Sequence, residues 1–472
     1  MQVAILSGIY AEGASPDFRT SYPRNLVPVP KETGISGGYL RPADGVADAG
    51  SGPGICRGGI NWNGALYRVL GTKLCRVGAD GLVTELGDVG SGGQVTLDYS
   101  FDRLAVASGG RLYYWDGTTL TQVTDPDLGT VVDMQYISGY FMTTDGENLV
   151  VTELADPTQV DPLKYGSAEV DPDPIVAIDE LRTEAYAFGR YSIEVFQNVG
   201  GTGFPFRRID GAQVMKGVVG THAYNALQDT FVFVGSGRGE APGVYQMVPG
   251  NVAKVSTREV DEILAGFTEA QLSVTAVETR VDRHHQHVLI HLPDRCIVYD
   301  AMASKTMDVP VWFVLDSGLL HQSTYRARHF VWCYDRWNVA DPLSARLGRM
   351  TTDVSTHYGA EIGWEFGTAV MYAEGLGAIV HDIELVTLPG RVSLGMYPVV
   401  WTSHSDDGAT WSQERPTPAG RQGQRAKRIA WRRQGQLRHW RVQRFRGTSD
   451  AHLSVVRLEV QIEPLNTKAG RG

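Results

Sequence analysis

"RLAVASGGRLYYWDG" runs from Arg103 to Gly117. A run of small and apolar residues meets Gly109-Gly110, and a second apolar run ends in Trp115-Asp116-Gly117. Two glycines between two such runs are a strong signal for a β-hairpin. A two-residue turn whose twist matches its strands needs positive φ at both central positions, and glycine supplies it without steric cost. The stretch therefore reads as two paired strands, and the rest of the chain can be compared with it.

The plan recurs from about residue 60 to 350. "ALYRVLGTKLCRVG" starts at Ala65, "YFMTTDGENLVVTEL" at Tyr140 and "EAYAFGRYSIEVFQ" at Glu184. "TFVFVGSGRGEAPGVYQMV" starts at Thr230, "HVLIHLPDRCIVYDA" at His287 and "HFVWCYDRWN" at His329. The starts lie 37 to 57 residues apart. One hairpin cannot bury both faces of its sheet, so units at this spacing stack around an axis as propeller blades do. The expected fold class is all-β: a β-propeller-like domain of six or seven degenerate blades over residues 56–360, and a C-terminal β-sandwich-like domain over 361–465. The sandwich expectation rests on longer alternating strands such as "LSVVRLEVQIEP". Residues 1–55, rich in Pro and Gly, read as an irregular arm, and 466–472 as a loose tail. One helical insertion is expected near 257–272. There Val260, Ile263, Leu264 and Phe267 share a face, and Thr257 and Thr268 are N-cap candidates.

Composition narrows the function classes. The 472 residues are 42% hydrophobic and 20% charged, which suits folded domains rather than disorder. Cys56, Cys75, Cys296 and Cys333 form no CxxC pair and read as buried free thiols, which fits a reducing cytoplasm. "MQVAILSGIYAEG" lacks the basic n-region of a signal peptide, and no run of 18 apolar residues is present.

No catalytic motif stands out. There is no G-x-S-x-G, HExxH or P-loop. His285 and His287 share one strand face and His284 the other, while His291, inside "VLIHLP", reads as a hydrogen-bonded core residue. These are too few convergent ligands for a predicted metal site. Asp161, Asp171 and Asp173 lie in an acidic loop without the spacing of a calcium loop. "SHSDDGATW", Ser403–Trp411, resembles the Asp-box turn of sialidase-type propellers, but a single copy closes a hairpin most simply. The expectation is no catalysis, no cofactor and no metal.

The distinctive feature is charge. Arg421, Arg425, Lys427, Arg428, Arg432, Arg433, Arg438, Arg441, Arg444 and Arg446 fall within Arg421–Gly447, which holds no Asp or Glu. The whole chain has net charge −10, so the rest carries −20. On a strand, Trp440 and Val442 should face one side, and Arg441 and Phe445 the other. A solvated sheet face, DNA phosphates or an acidic protein surface could each explain the arginines. No helix-turn-helix or finger accompanies them, so base-specific reading is not expected.

Several segments together resemble the tail-hub proteins of short-tailed phages, also called packaged-DNA stabilisation or head-completion proteins, of the Salmonella-type podoviruses. They are Tyr22-Pro23 with Asn25, "GYLRPADG" at Gly38, "YRVLGTKL" at Tyr67, "GDVGSGGQV" at Gly87, "QVMKGVVGTHAYN" at Gln213, "LIHLPDRCIVYDA" at Leu289 and "WFVLDSG" at Trp312. They agree in order from about residue 20 to 320. The resemblance implies a structural virion protein, made in the host cytoplasm, that forms a ring of six beneath the portal and its adaptor. It implies contacts with the tailspike and the tail needle or plug, and with genomic double-stranded DNA passing through without sequence specificity. It implies no membrane insertion and carries over no site residue. The rival functions are a propeller-fold glycan hydrolase of sialidase type and a receptor-binding, lectin-like tail component.

Overall fold

The computed structural model describes residues 2–3, 5, 8–10, 19–31, 37–168, 171–372, 377–451 and 453–465; the expected tail at 466–472 lies outside them. Among the described residues, seven small antiparallel sheets follow one another along the chain. Each has four strands except the fifth, which has five. The hairpin of the opening quotation is the middle of the second sheet: Leu104–Ser108 pairs with Arg111–Trp115, and Ser108 faces Arg111 across the turn. Gly109 and Gly110 have φ of +57° and +77°, as such a turn requires. A side chain at Gly109 would also meet the Ser91 carbonyl at 2.7 Å.

Successive sheets pack against one another in turn, mostly through their first strands, and Arg328–Cys333 of the last returns to Cys56–Trp62 of the first. The result is a seven-bladed propeller, with clusters of buried apolar side chains between blades. Its seventh blade, Arg328–Cys333, Arg336–Ala340 and Arg346–Thr351, takes its outer strand from Gly45–Ser51, which precedes the first blade in sequence. That pairing closes the ring.

The residues expected as an irregular arm are therefore partly strand. Beyond Gly45–Ser51, Leu26–Pro30 and Gly38–Pro42 form a hairpin that joins the sheet of Val455–Pro464, Ala378–Thr387 and Ile429–Arg432. This sheet packs on a second one, Gly363–Gly367, Trp440–Thr448, Val399–Ser405 and Arg415–Pro418, around one shared core. The Pro and Gly punctuation of the arm concealed one hairpin and one strand that join sheets formed far along the chain, at Val455–Pro464 and Arg346–Thr351.

Helices α1 (Arg258–Ala265) and α2 (Glu269–Leu272) occupy the expected insertion between blades five and six, capped by Thr257 and Thr268. Val260 and Leu264 are buried, and Ile263 and Phe267 pack on the same cluster. A third helix, α3 (Ala301–Met307), follows the Asp300 cap directly and was not expected. The four cysteines are buried and free.

Tyr22, Arg24 and Asn25 join the domains. The Tyr22 hydroxyl bonds Thr257. Arg24 pairs with Asp316 at 3.3 Å, and its backbone N–H donates to the Glu365 carbonyl. Asn25, at φ +53°, donates to the Gly363 carbonyl at 2.7 Å and accepts from the Asp316 N–H at 3.0 Å. Gly363 and Glu365 belong to the sandwich, whereas Asp316 follows the last strand of blade six.

Candidate functional site

Charge divides between the two parts of the chain. Residues 1–360 carry 28 Lys/Arg against 42 Asp/Glu, and residues 361–472 carry 15 against 11. The basic stretch supplies most of this reversal, and the fold sorts its ten cations into three groups.

Arg421, Arg425, Lys427 and Arg428 stand exposed on the turns before the edge strand Ile429–Arg432. Arg428 is held by Glu384. Arg421 lies over the Tyr397 ring, 4.2 Å from its centroid, within cation–π range. The loop 388–397 packs beside these turns, through the Gly423 N–H on the Gly390 carbonyl. It exposes Leu394 to 87% and Tyr397 to 61%. Cations and large apolar side chains thus share one end of the sandwich.

Arg432, Arg433 and Arg438 are exposed further along the same sheet edge. The guanidinium of Arg415 donates to the carbonyls of Arg432 and Arg433, which ties the edge to the opposite sheet. Cations along an edge strand also discourage strand addition by other chains.

Arg441 is buried, whereas Arg444 and Arg446 are half-buried. Arg441 is 0% exposed, so it does not belong to the candidate surface. It donates to the Gln434 carbonyl at 2.6 Å and to Gln443 Oε1 at 2.9 and 3.1 Å, and burial pulls its pKa down to about 10. Arg444 and Arg446 both reach Glu414, and Arg444 stacks on Trp411. Arg441, Val442 and Gln443 are all buried in succession, and half-buried and buried residues alternate from Arg444 onward. Strand Trp440–Thr448 lies in the middle of its sheet, between Gly363–Gly367 and Val399–Ser405. The sequence shows arginines there but not that the strand is central.

Of the ten cations in the basic stretch, the exposed ones that make no ion pair to a carboxylate among the described residues are thus Arg421, Arg425, Lys427, Arg432, Arg433 and Arg438. Among these six, Arg421 lies beside an aromatic ring, that of Tyr397.

The other sequence candidates disperse. His291 is a buried residue bonded to Glu278 at 3.0 Å. His284 is exposed, whereas His285 and His287 are buried near Asp300. Asp171 pairs with Arg238, Asp173 accepts from Tyr191 and Ser192, and Asp161 caps its own turn. The Asp-box-like turn joins Val399–Ser405 to Arg415–Pro418 in the sandwich. Asp407, not Asp406, accepts the Ala409 and Thr410 N–H groups.

An axial cavity of about 580 Å³ is lined from all seven blades, including Asp133, Asp179 and Glu278. Acids in and beside it reach across blades: Asp98 accepts from the Tyr136 N–H, Asp133 from the Ile178 N–H and Glu278 from the His329 N–H. Burial pushes Asp98 up to about 6, Asp133 to about 7 and Asp179 to about 8. These are struts of the ring, and sequence periodicity gave no sign of them.

Comparison with known proteins follows the same two-domain division. Residues 1–355 match the family model described as bacteriophage P22 Gp10, beta-propeller, and residues 363–463 match bacteriophage P22 Gp10, beta-sandwich. The tail hub protein gp10 of Salmonella phage P22 is 28% identical over 458 residues, which span 93% of this chain and 94% of that one. Among solved structures, the Pan2 WD40 domain of Neurospora crassa is 9% identical, with TM-score 0.41, over 63% of this chain and 90% of that one. Kluyveromyces lactis Hsv2 is 9% identical, with TM-score 0.36, over 70% and 95%. With both domains matched in order along most of its length, the chain belongs to the bacteriophage P22 Gp10 family.

Proposed function

We propose that this protein is a structural tail hub subunit of a short-tailed phage. Six copies form a ring that extends the channel of the portal and its adaptor, retains packaged DNA, and carries the tailspikes and the tail needle or plug. The observation that carries the reading is the full-length match to a tail hub protein in both domains. The basic end of the sandwich deepens it. A chain that separates an acidic propeller from a basic, partly apolar patch suits head-to-tail contact in a closed ring or docking onto an acidic neighbour. On this reading Arg421, Arg425 and Lys427, with Leu394 and Tyr397, meet an acidic surface of the next subunit or the adaptor. Channel DNA then slides past without tight phosphate contacts.

Two experiments test it. Heads from cells infected with a null mutant should package normally and then be found mostly empty. Filled, stable heads that fail to infect would move the protein outward, to a receptor-binding or glycan-cleaving role. The triple variant Arg421→Glu, Arg425→Glu, Lys427→Glu should remain folded and fail to enter particles. If the six exposed unpaired cations of the stretch instead met about five phosphates, free DNA binding by the wild type would fall with salt at a log–log slope near −4 to −5.

A further inference from the structure

On the sixth blade, His285 and His287 stand on one face of strand His285–His291, and the register sets His287 opposite Asp300 on the next strand. One ligand-type atom from each of the three lies within 4.8 Å of the others, and all three residues are buried. Among the described residues no other group of this kind occurs. His285 Nδ1 is 2.5 Å and His287 Nε2 3.5 Å from the same oxygen, Asp300 Oδ2. His287 is only 5% exposed, yet its Nε2 makes no hydrogen bond. A buried polar atom left in that state calls for a physical reason.

The surroundings are prepared for a ligand. Asp300 uses its other oxygen, Oδ1, to accept the Ala303 N–H at the start of α3 (3.1 Å) and the Gln286 N–H (3.3 Å). This orients the carboxylate and leaves Oδ2 aimed at the two imidazoles, as the outer contacts of metal ligands do. Arg280 lies opposite His287 on the other neighbouring strand. Its charge is already engaged by Asp44 and Asp282, both at 2.6 Å.

We propose that His285, His287 and Asp300 bind a divalent transition-metal ion, with zinc the best fit and a water molecule as its fourth ligand. Two imidazole nitrogens and one carboxylate oxygen are zinc donors, whereas calcium requires six or more oxygens. Tetrahedral zinc with bonds of about 2.0–2.2 Å sets its ligand atoms about 3.4 Å apart. The His287–Asp300 separation already matches, and His285 needs to retreat by about 1 Å. Such an ion would pin two central strands of the blade to the start of α3. That helix packs on strand Leu26–Pro30 of the sandwich, so the site would brace the junction of the two domains.

The test uses the full chain, stripped with a chelator and dialysed against zinc chloride. Metal content by mass spectrometry should be about one ion per chain, and zinc should raise the thermal midpoint. Cobalt(II) in its place should give the visible bands of a four-coordinate ion. His285→Gln and His287→Gln, checked for folding by circular dichroism and gel filtration, should lose at least about 100-fold in affinity, the upper end of what loss of a mere outer-shell partner costs. A wild type that retains no ion, or variants that bind as well as the wild type, would overturn the proposal. If the variants do not fold, the wild-type stoichiometry and cobalt spectrum decide alone, and their absence is equally fatal.

Discussion

Arg441 carries a guanidinium into the sandwich interior with only amide oxygens as hydrogen-bond partners. Replacing it with methionine keeps much of the volume but strands the Gln434 carbonyl and Gln443 Oε1. The expected loss is about 1–3 kcal/mol, the usual cost of leaving a buried polar group unpaired. Arg425→Ala and Arg432→Ala should stay within about 0.5 kcal/mol, since both side chains are exposed and unpaired with carboxylates. Urea unfolding of the three variants separates the two cases. Asn25 is the contrasting polar residue. It combines positive φ with hydrogen bonds to both domains, so Asn25→Ala should cost about 1–3 kcal/mol in the same assay.

The strand Gly45–Ser51 has the largest consequence for its length. It supplies the outer strand of the seventh blade from a point in the chain before the first. A propeller closed this way joins its ends through main-chain hydrogen bonds rather than a covalent link. Deleting residues 1–51 therefore exposes the edge of Arg346–Thr351, and also removes three strands, Gln2–Val3, Leu26–Pro30 and Gly38–Pro42, from the sandwich sheet. The truncated chain should lose its cooperative thermal transition and aggregate, as followed by scanning calorimetry and light scattering. Deleting the exposed turn residues 422–424 should leave that transition in place.

The propeller as a whole has an acidic axis, and its stability should follow pH accordingly. Asp133 and Asp179 ionise near pH 4 in the unfolded chain but only near 7 and 8 when folded. Their protonated form favours the fold, so stability falls as pH rises from about 4 to about 8. His329 and His357 act in the opposite sense. Burial lowers both to about 3, so they remove stability as pH falls below about 6.5. The two slopes oppose each other below pH 6.5, and only the acids act above it. Thermal midpoints should therefore drop between pH 6.5 and 8.5, and Asp133→Asn should flatten that slope. A wild type whose midpoint rises over this range would refute the assignment.

Local signals were enough for the repeated hairpins, their glycine turns and the capped helices α1 and α2, because period, turn chemistry and capping act over a few residues. The concentration of positive charge near the C-terminus was legible for the same reason, and the order of several short segments already resembled the tail-hub family. Other features depended on partners far away in the chain. Gly45–Ser51 became a blade strand only through pairing with Arg346–Thr351. The Pro-rich arm became sheet only against Val455–Pro464. Arg441 was buried because its strand is central, while Arg421 and Arg425 stayed outside because theirs are turns before an edge. Asp300 joined His285 and His287 through cross-strand register. Register, edge or centre, and closure are set by which strands pair, and that pairing is decided by burial of the whole surface rather than by any stretch of it.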